Sequence, residues 1–219
     1  MNSFEPLYPK AREKSADLEQ FVSSGQYLTE MFGDGWGGSL DDPLNAELRW
    51  IRDKWLLPAA QAAEYIIEIG AGGGRWSRYW PNDKHVILVD GTEASYTAIV
   101  QYTKRTDWRF LVSVDGHLPE LAPNSFDYCF SFDTFVHFEA GLFDAYLAEF
   151  GRVLRFGGLL HLHYARLWPE NREPDPEDFK YRKEEEVQLV LHNNRLELTS
   201  RRWERHHGNG SVLVEAMKV

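Results

Sequence analysis

Short apolar runs, each closed by a polar or glycine-containing turn, recur from residue 65 onward and set the frame of the chain. Tyr65–Ile69, His85–Val89, Arg109–Val114, Phe126–Phe132 and Leu159–Ala165 are rich in β-branched and aromatic residues and read as five strands. Helical spacing fills two of the gaps. Glu93–Thr103 reads as one helix, and Ala140–Leu154 as another, with Leu142, Phe143, Tyr146, Leu147, Phe150 and Leu154 on one stripe. Arg155–Gly158 reads as a turn of C-cap type that reverses the chain into the fifth strand. This alternation predicts a parallel α/β sheet. A helix over Tyr181–His192 follows a proline- and acid-rich loop, Arg166–Lys180. The alternating runs Arg195–Trp203 and Ser211–Met217, joined through the Asn209-Gly210 pair, predict a closing antiparallel hairpin.

Before the first strand the pattern is helical and more polar. Lys10–Tyr27 carries Leu18, Phe21 and Val22 among charges, and Phe32–Gly38 is a glycine-rich loop around Trp36, either a lid or a structural loop. Asp42-Pro43 has the form of an N-cap and first helical residue, opening a helix through Leu44, Leu48, Ile51 and Trp55 that Pro58 should end. Residues 1–58 are therefore expected to cap a main domain of residues 59–219.

The first strand runs into Gly70, Gly72, Gly73 and Gly74, and Arg75–Trp80 then lacks breakers until Pro81. A strand, a tight turn and an opening helix are predicted, the usual cradle for a nucleoside cofactor in an open α/β sheet. A dinucleotide fingerprint starting at Gly70 would need glycine at position 75, where Arg75 stands. Asp90, at the end of the second strand, is placed to reach ribose hydroxyls. Nicotinamide and adenosylmethionine cofactors both use such a residue, so it does not choose between them.

The 219 residues suit one globular domain. A net charge of −10 argues against a protein whose main task is holding nucleic acid, although Arg195, Arg201, Arg202, Arg205, His206 and His207 form a local basic cluster. The single cysteine, Cys129, lies in an apolar run. No Cys/His metal spacing, leader or long apolar segment is evident, and a cytoplasmic protein without membrane insertion is expected. The acidic surface and eight tryptophans allow a homodimer.

Taken residue by residue, Glu68-x-Gly70-x-Gly72-x-Gly74 resembles the first motif of class I S-adenosylmethionine-dependent methyltransferases. Further along, NSFDYCFSFDTFVHF resembles the family's fourth-motif region, and EFGRVLRFGGLLHLHYA its helix, Gly-Gly turn and fifth strand. The resemblance covers roughly Ala63–Val219. It implies a Rossmann-like seven-stranded, mostly parallel sheet with helices on both faces and a C-terminal antiparallel hairpin, and it implies S-adenosyl-L-methionine as cofactor.

The implied cofactor residues are Glu68 near the methionine end, Gly70, Ala71, Gly72 and Gly74 in the loop, Asp90 and Gly91 at the ribose, Asp115 and Gly116 at the adenine, and Ser131 at the end of the fourth strand. The expected activity is methyl transfer to a small-molecule hydroxyl. The overall pattern looks like bacterial methyltransferases associated with sugar or surface-polysaccharide modification. For the proton of that hydroxyl the candidates are His137, with Asp133 orienting it or binding substrate hydroxyls, and His163. His161 and His163 alternate and should share a face. Amine, carboxylate and peptide acceptors remain open, as do a nicotinamide-dependent oxidoreductase and a cofactor-binding protein without catalysis.

Overall fold

A computed structural model describes residues 40–41, 45–167, 179–204 and 210–219. The helix expected within residues 10–27, the Trp36 loop, the Asp42-Pro43 cap, most of the proline-rich loop and the Asn209 turn lie outside them. A seven-stranded sheet organises the rest, with strands β1 (Tyr65–Ile69), β2 (His85–Asp90), β3 (Arg109–Val112), β4 (Phe126–Ser131), β5 (Leu154–Ala165), β6 (Leu196–Glu204) and β7 (Ser211–Lys218) in the order β3-β2-β1-β4-β5-β7-β6. β3, β2, β1, β4 and β5 run parallel, and β7 is antiparallel to both β5 and β6. The strand order reverses between β1 and β4, which opens a crevice at the carboxyl ends of those two strands.

Period-two burial splits the core into two layers. Ile67, Ile69, Cys129, Leu160 and Leu162 face one side, where α4 (Ala140–Val153) and α5 (Glu184–Asn193) pack with Phe143, Tyr146, Leu147, Phe150, Val187 and Leu191. Ile66, Leu88, Tyr128, Phe130 and Leu213 face the other, against Trp55, Trp76, Trp80 and Ile99. Ile99 comes from α3 (Glu93–Thr103), capped by Thr92, whose hydroxyl accepts from the Ala94 amide. Trp55 belongs to the helical segment ahead of the sheet.

That segment is α1 (Ala46–Ile51), a π-helical turn (Arg52–Leu56) and α2 (Leu57–Ala62) without a break. Pro58 was expected to stop it. Pro58 instead sits in the first turn of α2, where a missing N–H is tolerated, and the Lys54 carbonyl four residues back is taken by the Arg201 guanidinium. Two further expectations change. Instead of a turn, residues 154–158 are part of β5, and a register shift between Phe126 and Tyr128 absorbs the Gly-Gly pair, with Gly157 at φ 78°. After the glycine loop there is only a 3-10 turn, Ser77–Tyr79. Trp80, preceding Pro81, is held extended, which ends the turn before an α-helix can form.

Candidate active site

The loop after β1 is shaped by three glycines at positive φ, Gly70 (74°), Gly72 (52°) and Gly74 (88°). Gly70 and Ala71 donate to the Val89 carbonyl, so the loop starts as an extension of the sheet. Asp90 then fastens it. One carboxylate oxygen accepts from Gly72 N at 2.8 Å and the other from Gly91 N at 2.8 Å, with Ser95 and Thr92 adding donors. Burial drives the Asp90 pKa up, and these four hydrogen bonds work against it. This carboxylate is turned onto the loop, where backbone donors surround it.

Glu68 is likewise buried, on the face of β1 that meets Trp80. Its Oε2 accepts from Ser77 Oγ at 2.7 Å and Trp80 Nε1 at 2.5 Å. Burial pushes its pKa up to about 7 in spite of those donors, with the nearby Asp90 charge adding to the rise. Glu68 ties the 3-10 turn to the strand. Ser131 is fully buried and its hydroxyl donates to the Ile69 carbonyl at 3.0 Å, joining β4 to β1. Asp115 is exposed and accepts from His117 N at 3.0 Å, while Gly116, at φ 80°, lies against Ala145. These two stand at the far side of β2, beyond Ser113, whose amide donates to the Asp90 carbonyl.

The three residues put forward for proton chemistry come together around Asp133. Asp133 follows β4 at φ 58°, one of few non-glycine residues in the left-handed region. Its Oδ2 lies 3.1 Å from the Arg75 guanidinium and its Oδ1 3.2 Å from His163 Nδ1. Its backbone N–H donates to that same Nδ1 at 3.1 Å. Burial acts to raise the Asp133 pKa, but the contact with His163 and the charges of His163, Arg75 and His137 outweigh it and hold the carboxyl at about 2.

His163 is buried and stacks on Phe132 at 4.1 Å, with Trp203 beyond at 6.1 Å. His137 closes a 3-10 turn, Phe135–His137, half-buried with its ring edge-on to Phe179. His161 shares the face of His163, but its two nitrogens are taken by the Tyr128 hydroxyl at 2.8 Å and Glu215 at 3.0 Å, and burial lowers its pKa. It is a core residue. Sequence reading treated Arg75 only as a break in a fingerprint and missed Thr134, Trp76 and Trp203. Arg75 and Trp76 directly follow the glycine loop, which was a usable signal. Trp203 gave none, because its place depends on where β7 inserts.

A family model described as a methyltransferase domain matches residues 66–158, from β1 into β5, a span that holds the glycine loop, Asp90, Asp133 and His137. Over that span the chain is similar to a methyltransferase domain. Solved structures agree on the methyltransferase fold. The magnesium protoporphyrin IX methyltransferase from Synechocystis PCC 6803, with bound SAH, superposes at a TM-score of 0.68 with 15% identity, covering 94% of this chain and 100% of that one. The N-methyltransferase NodS from Bradyrhizobium japonicum, in complex with S-adenosyl-L-homocysteine, gives 0.64 and 16%, covering 91% and 98%. A SAM-dependent methyltransferase from Aquifex aeolicus gives 0.61 and 23%, covering 82% and 95%.

No curated protein matches the chain. The domain match supports an enzyme that transfers methyl groups, and two of these neighbours were solved with S-adenosylhomocysteine bound. The loop fits that group: positive-φ glycines at the switch point bring bare backbone to the carboxyl end of β1. Among the described residues no helix is long and apolar enough to cross a membrane.

Proposed function

We propose that this methyltransferase methylates a hydroxyl of a small-molecule acceptor, a sugar being the class that the sequence resemblance favours. The observation that carries the reading is the cluster at the carboxyl ends of β4 and β5, where Asp133, His163, Arg75 and His137 converge beside the glycine loop. S-adenosyl-L-methionine supplies a methyl group on a sulfonium, a good leaving group, so the protein mainly has to align the acceptor and take up its proton. The glycine loop, fastened by Asp90, holds the cofactor side. Asp115 and Gly116 border the adenine end.

His137 accepts the hydroxyl proton in this reading, and Asp133, anionic down to about pH 2, stabilises the imidazolium that results. A second reading rests on the same carboxylate. A half-exposed Asp133 that stays charged would also bind an amine acceptor and lead to N-methylation.

The test is calorimetric titration with S-adenosylmethionine, S-adenosylhomocysteine and NAD, followed by assay of S-adenosylhomocysteine release against panels of sugars and amines. Binding of the two sulfur nucleosides with turnover on a hydroxylated acceptor supports the first reading, and turnover on amines alone the second. Binding of NAD alone sinks both.

A further inference from the structure

We propose that His163 is a hydrogen-bond donor to the methyl acceptor, through Nε2–H, and that it is a specificity residue instead of the base. The inference rests on the methyltransferase reading above and adds a requirement on the substrate. His163 is 3% exposed, and Nε2 has no partner among the described residues. A buried polar nitrogen left alone is destabilising, and native structures normally satisfy it.

The other ring nitrogen decides what Nε2 is. Asp133 N–H points its hydrogen at Nδ1 from 3.1 Å. A neutral ring that accepts this bond carries its hydrogen on Nε2. A ring protonated on both nitrogens has a hydrogen there as well, with its charge facing Asp133 Oδ1 at 3.2 Å. That cation and the neutral Nδ1–H form with a bare Nε2 both set an Nδ1 hydrogen against the Asp133 N–H, so the neutral Nε2–H ring is the form this bond selects. Nε2 is a donor in that form, and a donor cannot take a proton from a hydroxyl.

Packing keeps the donor fixed. Phe132 lies parallel to the imidazole at 6° and Trp203 flanks it at 6.1 Å, so the ring has little freedom to flip. Trp76, which packs on Phe132 at 4.8 Å, has a second buried donor without a partner among the described residues, Nε1. Donors of this kind select a ligand rich in lone pairs. The acceptor so required bears a second oxygen close to the methylated group, as a vicinal diol, a hydroxy acid or a sugar does, and an isolated alcohol or a simple amine lacks it.

Two measurements test this. Long-range imidazole 15N NMR on the wild-type protein at pH 8 should show His163 as the Nε2–H tautomer; a bare Nε2 overturns the assignment without any variant. Kinetics on the acceptor then divide the roles. His163→Asn keeps an acceptor for Asp133 N–H and lacks the distal donor, and should raise KM about tenfold with kcat and the shape of its pH profile nearly unchanged; His163→Gln, which restores a distal N–H, should recover most of it.

A collapse of kcat with loss of the acidic limb would make His163 the base, and an unchanged KM would mean that it does not touch the acceptor; either overturns the proposal. Thermal melts of both variants guard against misfolding. Failure of S-adenosylmethionine to bind would refute the parent reading alone, since the tautomer is measured without cofactor.

Discussion

Replacing Gly70 by alanine should damage the crevice more than any other single methyl group, for two separable reasons. The residue sits at φ 74°, where an L side chain costs about 1–2 kcal/mol. Its new Cβ would also fall 1.9 Å from Thr134 Oγ1, 2.4 Å from Cγ2 and 2.6 Å from Cβ. Thr134 cannot readily retreat. It is 2% exposed, its hydroxyl reaches the Gly70 and Phe132 carbonyls at 3.4 and 3.3 Å, and its neighbour Asp133 already holds a left-handed backbone. Overpacking of this kind costs about 1–3 kcal/mol, so the sum is about 2–5 kcal/mol, a large share of a domain's stability.

Urea unfolding of Gly70→Ala, with the slope held to the wild-type value, reads that loss as a lowered midpoint. Gly70→Ala/Thr134→Gly opens the space and should return the steric part but not the backbone part, giving a favourable coupling of about 1–3 kcal/mol in the double-mutant cycle. A single variant within 1 kcal/mol of wild type, or a cycle that is simply additive, would refute the reasoning.

Four other outcomes follow from the site. Glu68 titrates near 7 when folded and near 4.5 when free, so its stabilising share is complete below pH 4.5 and fades as pH climbs through 7. Glu68→Gln should remove up to about 3 kcal/mol of that decline between pH 4.5 and 8, and melting curves parallel to wild type across the range would count against the assignment. Ser131→Ala deletes a buried hydroxyl bonded to Ile69 and should cost about 1 kcal/mol in urea while calorimetry finds cofactor affinity intact; a tenfold loss of affinity would reinstate Ser131 as a ligand. Asp90→Ala strips the acceptor from Gly72 and Gly91 and should abolish measurable cofactor binding as well as lowering stability by about 2 kcal/mol, so normal affinity in a titration would contradict the loop-fastening role. Asp133→Asn and Asp133→Ala both give up the ion pairs with Arg75 and His163, but asparagine tolerates φ 58° and alanine does not, so the alanine variant should melt several degrees below the asparagine one; equal melting temperatures would argue against backbone strain there.

The sheet was legible because its strands are short, apolar and punctuated, and a strand with one buried face announces itself by period two. The Gly70–Gly74 loop and the helices at Glu93 and Ala140 were equally plain. What misled were residues whose meaning is set at a distance. Pro58 reads as a stop until Arg201, far along the chain, takes the carbonyl that proline leaves behind. Gly157 and Gly158 read as a turn, yet strand pairing with β4 on either side absorbs them. Glu68, Asp90 and Ser131 were expected beside the cofactor, but sequence says nothing of the direction a side chain takes. Trp80, Gly72 and Ile69 claim them first. The grouping of Asp133 and His163 was foreseen as proximity; that one ring nitrogen meets both the amide and the carboxylate of a single residue is a product of its left-handed backbone.

The order β5-β7-β6 also has a bearing on how the molecule is made. β6 leaves the ribosome before β7, yet every sheet hydrogen bond of β6 is to β7. Until residues 211–218 have emerged, β6 has no strand to pair with, and Trp203 has no route to its position beside His163. A growing chain can thus assemble the parallel part of the sheet and the glycine loop early, while Trp203 waits for β7, the last of these seven strands to be synthesised, which threads between two neighbours already made. Pauses in translation after β6 would leave an unpaired edge exposed at that stage.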